Sequence, residues 1–397
     1  MLNVNKERHF DNTLLFVTLA LMCFGLIMVY SASSITSMSY MNDSLFYFKK
    51  QLLWVGIAIV GMFIASNYHY RRLEKYSVPL ILLSVVFLIA VYFTAKVGGA
   101  HRWLRIGGLG FQPSEFAKIA FIIYIAHSIS IRQDRIQEIL RGIVPDLLVM
   151  LVIFGLILKE PNLSTAGIVA STYFLMLFLG NGSLLHLLGI GAGGAIAVTA
   201  LVFQEGYRMR RFLAFLDPWG ASKTAGYHII QSLVAIGSGG FWGLGLSQSR
   251  QKFFILPERH TDFIFAIICE ELGFIGGGAV ILLFLLLIWR GFYIAARAPD
   301  LFGFLLAAGL TCLIACQTLI NLGVVLSVIP TTGVTLPFIS YGGSSVCFMA
   351  VAIGILLNIS RYGTIQNAIV ENRKRPFSSR YSDVSERVTA RRKRQST

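Results

Sequence analysis

The chain has 397 residues, of which 55% are hydrophobic and only 13% charged, against about a quarter charged in an ordinary soluble protein. A water-soluble globule of two or three domains would lack the polar surface to cover itself, so lipid is the solvent this composition fits. The 34 Lys and Arg outweigh 19 Asp and Glu by 15. The excess lies in a basic C-terminal stretch and in short segments between apolar runs, which is a membrane-topology pattern and not a nucleic-acid surface.

One helical crossing of a bilayer needs about 20 mostly apolar residues. Ten segments qualify, centred on 13–33, 51–67, 77–95, 114–131, 143–158, 164–180, 184–203, 262–289, 301–326 and 344–360. The predicted fold is an all-α polytopic membrane protein of about ten transmembrane helices, with a large extracytoplasmic loop, 204–261, between the seventh and eighth. Lys6 and Arg8 before the first segment and Ser31-Ala32-Ser33 after it mimic a signal peptide. Its apolar run is too long for one, so it reads as an uncleaved span.

Cytoplasmic loops are enriched in Lys and Arg. With residues 1–11 inside, the inner segments hold Arg71, Arg72 and Lys75, then Arg132, Arg135 and Arg141, then Arg290 and Arg297. The outer ones hold Lys49, Lys50, Lys96, Arg102, Arg105 and Lys159. An even number of spans places both termini in the cytoplasm. Residues 363–397 form a basic tail too polar to pack a core, and composition predicts disorder there.

Cys23, Cys269, Cys312, Cys316 and Cys347 all lie in apolar runs without CxxC spacing. They read as small buried hydrophobes, not as a disulfide framework or a zinc site. No HExxH, no GxxxxGK[ST] and no haem motif occurs, and Trp242 occupies the place that a GxGxxG reading of Gly237–Gly245 would need for glycine. Zinc, haem and nucleotide cofactors are therefore not expected.

Ionisable groups in or beside spans are costly and become functional candidates by default. They gather on the outer side. Glu115 and Lys118 open the fourth span behind Pro113, on one helical face; a structural ion pair is the plain alternative. Lys159-Glu160-Pro161-Asn162 makes the next outer turn, and Asp262 opens the eighth span. Asp262 suits either a helix cap or a functional carboxylate.

On a regular helix Ala266, Cys269, Gly273, Gly276 and Gly277 fall within about 60° of Asp262, a small-residue stripe that admits another helix or a lipid chain. Glu270 and Glu271 read as packing anchors within the bundle. For Arg208, Arg210 and Arg211 the plain reading is snorkelling to the interface. The last outer loop, Pro330–Ser345, puts prolines and glycines at apolar depth. Irregular backbone there requires burial in protein or a water-filled cavity.

A cationic, carboxylate-bearing cavity on the outer side suits an anionic amphiphile. Cytoplasmic ATP is absent there, so the energy for a reaction must reside in the substrate's own leaving group, as in a lipid diphosphate. A transporter or flippase shares these features, and a non-catalytic scaffold would need no outer carboxylate.

Several long motifs occur in order: Phe111–Lys118, Tyr207–Trp219, Gly245–Lys252, Leu256–Phe265 and Gly333–Ser345. By them residues 12–362 resemble the SEDS family (shape, elongation, division and sporulation), polytopic peptidoglycan glycosyltransferases. The arginine-rich stretch and Asp217-Pro218-Trp219 are more similar to the division branch than to the elongation branch, with the sporulation branch close by. The resemblance implies polymerisation of lipid II into nascent glycan at the septum of a bacterial cell membrane, with inversion and release of undecaprenyl diphosphate.

It implies Asp262 as the general base, with Lys118, Glu115, Arg210, Lys252, Ser340 and Ser344 toward substrate. A divalent cation, Mg or Mn, is compatible with Asp262. The partners it implies are a class B penicillin-binding protein, other divisome proteins and membrane lipids; no nucleic acid is implied. The chain departs from the family's usual Gln/Glu-Pro-Asp at Glu160-Pro161-Asn162, so position 162 receives no catalytic or metal role.

Overall fold

The computed structural model describes residues 10–95, 101–106, 109–252, 256 and 259–374. In chain order the helices are α1 (Asn12–Met41), α2 (Phe46–Asn67), α3 (Arg71–Ala90), α4 (Pro113–Ile131), α5 (Val144–Lys159) and α6 (Leu163–Leu179). They continue with α7 (Leu184–Gln204), α8 (Gly206–Leu216), α9 (Tyr227–Gly239), α10 (Ile264–Ala296), α11 (Leu301–Val325) and α12 (Gly343–Lys374). Among the described residues nine helices are long and apolar enough to cross a bilayer, and α6, of 17 residues, is a shorter apolar one. Together they match the ten expected segments.

The boundaries follow local chemistry. Asp11 Oδ1 accepts from Leu14 N at 2.9 Å and Asp300 Oδ1 from Gly303 N at 2.7 Å, capping α1 and α11. Pro113 occupies the first position of α4, where its missing N–H costs nothing. Asn162 caps α6 through Oδ1, which accepts from Thr165 N at 3.3 Å. That bond gives the departure at 162 a structural occupation.

The start of α1 and the later part of α12 lie at the same end of the bundle, where Asp11 N donates to Ser360 Oγ at 3.2 Å. Arg71 pairs with Asp300 at 2.7 Å and Arg290 pairs with Asp11 at this same end. The core is formed by α4, α11 and α12, whose central residues, such as Ile125, Leu310 and Ile353, are completely buried. Lipid-facing flanks stay apolar and exposed, for example Phe16 and Trp289.

The expected outline gains local structure. The large region 204–261 between the seventh and eighth spans carries α8 and α9. The segment before α4 holds a hairpin of β1 (Leu104–Ile106) and β2 (Leu109–Phe111), antiparallel with Leu104 opposite Phe111. And α12 continues to Lys374, past the expected boundary at 362; the rest of the predicted tail, like residues 1–9, lies outside the described residues.

The largest correction concerns α10. Gly273 has φ 66° and ψ −164°, breaking the helix in its first third. The broken carbonyls are satisfied from outside the helix: Leu244 N donates to Glu270 O at 3.0 Å and Gly245 N to Glu271 O at 2.9 Å. In return Phe274 N donates to Gly240 O at 2.9 Å. A Cβ at Gly273 would stand 2.4 Å from Gly243 N, so only glycine fits. The small residues around the break thus admit the end of α9, where a Cβ on Gly239 would stand 2.0 Å from Cys269 O, and the turn that follows it, and the continuous helical wheel does not apply across the break.

Candidate active site

Asp262 lies in a turn, half-buried, two residues before α10 begins. The N-cap of α10 is Phe263, so Asp262 does not hold the capping position. Its backbone is tied down instead: Asn321 Nδ2 donates to Asp262 O at 2.8 Å and to Val334 O at 2.7 Å. The preceding residues are held likewise. Ser340 Oγ donates to Thr261 O at 2.6 Å, and Tyr341 N donates to His260 O at 2.9 Å.

The loop at 330–342 is therefore the floor beneath residues 260–262. Its buried carbonyls find donors on α11 and α2, including Gln51 Nε2 to Ser340 O at 3.2 Å. Irregular backbone at apolar depth is stable here because side-chain amides replace the missing helical bonds. A Cβ built on Gly333 would lie 3.8 Å from Asp262 Oδ2, so the carboxylate faces that glycine at contact distance. Beside it, the rings of Tyr47, His260 and Tyr341 cluster with centroids 4.8 to 5.7 Å apart.

Glu115 and Lys118 form a buried ion pair at 2.8 Å, and Lys118 Nζ also donates to Gln317 Oε1 at 2.8 Å. Gln317 Nε2 in turn donates to Thr335 O at 3.2 Å. Lys118 is 2% exposed, so its ammonium is committed to partners inside the bundle. A buried pair of this kind survives because both charges are hydrogen-bonded; removal of either leaves the other stranded.

Arg102, in sequence only an outer-loop cation, is a member of the site. Its guanidinium donates through Nε to Glu160 O at 2.8 Å and through Nη2 to Pro161 O. Burial holds Arg102 below the ordinary guanidinium range, while Tyr207, Glu160 and Asp262 pull it back up. Arg211, from α8, donates to Thr331 O at 3.3 Å and also lies within the field of Arg102. Two arginines thus converge from the hairpin segment and α8 on the surroundings of Asp262.

Glu160 is completely buried, and among the described residues neither of its carboxylate oxygens has a hydrogen-bond partner. Burial pushes its carboxyl up to about 8, with Arg102 opposing.

The other expected residues are placed apart from this constellation or within its framework. Arg210 is exposed on α8. Lys252 is buried, donates to the Ser247 carbonyl and to Ser247 Oγ, and stands 3.8 Å from Glu271 Oε1. Ser344 Oγ donates to Gly110 O at 2.8 Å and accepts from Gln112 N at 3.1 Å. Ser340 and Ser344 are both buried, and their hydroxyls bind backbone, so each anchors a loop beside the site.

Glu270 accepts from Ser249 Oγ and from Arg250 N at 2.8 Å, and Glu271 accepts from Ser31 Oγ at 2.7 Å. Arg208 closes the end of α7 by donating to Leu201 O at 3.0 Å.

Among the described residues no three His, Cys, Asp or Glu side chains converge as metal ligands. A protein-only cage for a divalent cation is thus not built there. Magnesium is commonly held by one or two carboxylates, with water and substrate phosphate completing its shell, and Asp262 is able to supply one such ligand.

The order of these elements along the chain is diagnostic. The model of the FtsW/RodA/SpoVE family, described as a cell cycle protein, matches residues 12–365. The chain belongs to this family. Stage V sporulation protein E of Bacillus subtilis (strain 168) is 44% identical over 90% of the chain and 98% of that protein. The probable peptidoglycan glycosyltransferase FtsW of Geobacter sp. (strain M18) is 41% identical over the same shares.

Among solved structures, one of a peptidoglycan synthase complex that coordinates polymerization and crosslinking superposes with a TM-score of 0.75 at 28% identity, covering 89% of the chain and 98% of its counterpart. The rod shape determining protein RodA of Thermus thermophilus gives 0.65 at 28% identity, covering 89% and 97%. The SEDS resemblance and the polytopic helical membrane fold are thereby established. Division and sporulation names occur at similar identity.

Proposed function

We propose that the protein is a peptidoglycan glycosyltransferase that polymerises lipid II into glycan strands on the outer face of a bacterial cell membrane. Both termini are cytoplasmic, and the Asp262 end faces outward. The observation that carries this reading is a half-buried aspartate whose backbone is fixed by Asn321, with the arginines of the hairpin segment and α8 beside it. The relatives' names supply the reaction class.

In this mechanism Asp262 takes the proton from the acceptor sugar hydroxyl. The freed oxygen attacks the donor's anomeric carbon from the face opposite the diphosphate. The bond from that carbon to the diphosphate oxygen breaks, its electron pair leaves with undecaprenyl diphosphate, and configuration inverts. Arg102 and Arg211 supply positive charge where negative charge grows on the leaving group; a divalent cation, Mg or Mn, is compatible with Asp262 as one ligand, and no step above depends on it. The buried Glu115, Lys118 and Gln317 network holds the floor loop in register.

The working assembly pairs this chain with a class B penicillin-binding protein and other divisome proteins at the septum, because a glycan strand without crosslinks makes no wall. Purified protein with that partner and labelled lipid II tests the reading. Muramidase-sensitive polymer is the expected product. Lipid II carried across a bilayer unchanged, with no polymer, would identify a flippase instead.

A further inference from the structure

At the end of the bundle opposite Asp262 lies a cavity of about 210 Å³, lined by Phe10, Asp11, Asn12, Arg290, Tyr293 and Arg297 among others. Arg290 is neutralised there by Asp11, with Nε 3.1 Å from Oδ2. Arg297 is not: it is exposed, its guanidinium lies 3.9 Å from the centre of the Tyr293 ring, and among the described residues it forms no ion pair. A further cation stands at the wall, since the Arg361 guanidinium lies 3.8 Å from the centre of the Phe10 ring. Its buried Nε–H finds no acceptor among the described residues. The formal charge of Asp11, Arg290, Arg297 and Arg361 together is +2.

Helix dipoles do not decide the matter. The N-terminus of α1 favours an anion at this cavity and the C-terminus of α10 disfavours one, which leaves the arginine side chains to set the sign. Their planar, donor-rich heads match phosphate oxygens better than a chloride-sized ion.

The surroundings select the kind of phosphate. At intervals of four residues along α10, Arg297 is followed by Tyr293, Trp289 and Leu285, and the last two are 59% and 55% exposed. On α1, Asn12 is followed four residues later by Phe16, at 74%. Each row runs from polar groups at the cavity to bare apolar side chains at membrane depth. A soluble phosphate would use only the first part of such a row. A phospholipid would use all of it.

We propose that this cavity binds the phosphate headgroup of an anionic phospholipid, with an acyl chain lying along Tyr293, Trp289 and Leu285. The assignment to the inner leaflet rests on the orientation given above. Basic pockets between transmembrane helices on the cytoplasmic side are suited to such headgroups.

The test is native mass spectrometry of the purified full chain with equal amounts of phosphatidylglycerol and phosphatidylcholine of the same acyl composition. Wild type is expected to retain the anionic lipid preferentially, by about fivefold for each arginine that engages it. Arg297→Gln is expected to lose about fivefold of that preference. Arg297→Lys, which keeps the charge and loses the planar head, is expected to fall between the two. Ten-millimolar-scale inorganic phosphate is a separate arm and is expected to leave lipid retention unchanged.

Equal retention of the two lipids by wild type, an unaltered preference in Arg297→Gln, or displacement of the lipid by inorganic phosphate would each overturn the proposal. Lipid retention is read without polymerisation. A failure here therefore leaves the glycosyltransferase reading standing, and a failure of that reading leaves this result interpretable.

Discussion

Gln317 and Asn321 stand one turn apart on α11, and their side-chain amides bind successive parts of the same loop, Thr335 O and Val334 O respectively. Gln317 also holds Lys118, and Asn321 also holds the backbone of Asp262. The buried ion pair and the candidate base are therefore linked through about 6 Å of one helix face. A shift of that face moves both.

Asn321→Leu removes the donor that Asp262 O and Val334 O share. Stranding buried carbonyls costs about 1–3 kcal/mol, and a base displaced by an ångström loses on the order of 100-fold in rate. The expected result is a modest fall in thermal stability with a much larger fall in lipid II polymerisation. Equal loss of both, or an unchanged rate, would show that the amide does not position the base.

Lys118→Met leaves Glu115 buried opposite an apolar side chain. Breaking a buried pair on one side costs about 3–5 kcal/mol, so the variant is expected to unfold at markedly lower temperature in detergent. Adding Glu115→Gln to Lys118→Met removes the stranded charge and is expected to recover most of that loss. A double variant no more stable than the single one would contradict the pairing.

Much of this architecture is legible in the chain itself. Ten apolar segments stand out because a bilayer crossing demands a long uninterrupted run, and Pro113 marks a helix start by its chemistry. Asp262 is legible from its place in a motif beside a span. The hairpin at 104–111 stays hidden because three-residue strands are too short to show alternation, and α8 and α9, of 11 and 13 residues, are amphipathic but fall short of the long apolar run by which the spans stand out.

The break at Gly273 is hidden for a different reason: its bonds come from residues 240–245, about 30 positions earlier. Arg102 escapes because a loop arginine looks the same in sequence whether it faces water or grips the 160–161 backbone. Lys118 is legible as a candidate, but its commitment to Glu115 and Gln317 depends on the packing of α4 on α11.

Glu160 gives the stability a slope with pH. Its carboxyl ionises near 4.5 in the unfolded chain and at about 8 in the folded protein. Between those values the native state keeps a proton that the unfolded state has lost, so this group lowers stability as pH rises through that window. Each pH unit within the window weakens the fold by on the order of 1.4 kcal/mol, so Glu160→Gln, which removes the effect, is expected to exceed wild type by a few kcal/mol at pH 8. Near pH 4.5 the two should be nearly equal, as measured by thermal unfolding across that range. A constant difference at every pH would contradict the assignment.

Gly333 sets the space in front of the candidate base. A methyl group there makes ordinary contact with Asp262 Oδ2, at 3.8 Å, whereas a longer side chain occupies the room an acceptor hydroxyl needs. Gly333→Ala is expected to polymerise near the wild-type rate, and Gly333→Leu to lose about 10-fold or more with little change in thermal unfolding. Similar rates for the two variants would remove Gly333 from the site.

The most direct measurement compares wild type with Asp262→Asn in a purified complex supplied with labelled lipid II. The substitution keeps the side-chain shape and deletes the proton acceptor. Glycan formation is expected to disappear while expression, partner binding and thermal unfolding remain at wild-type levels. Polymer made by Asp262→Asn at a comparable rate would show that another group removes the proton, and would contradict the account at its centre.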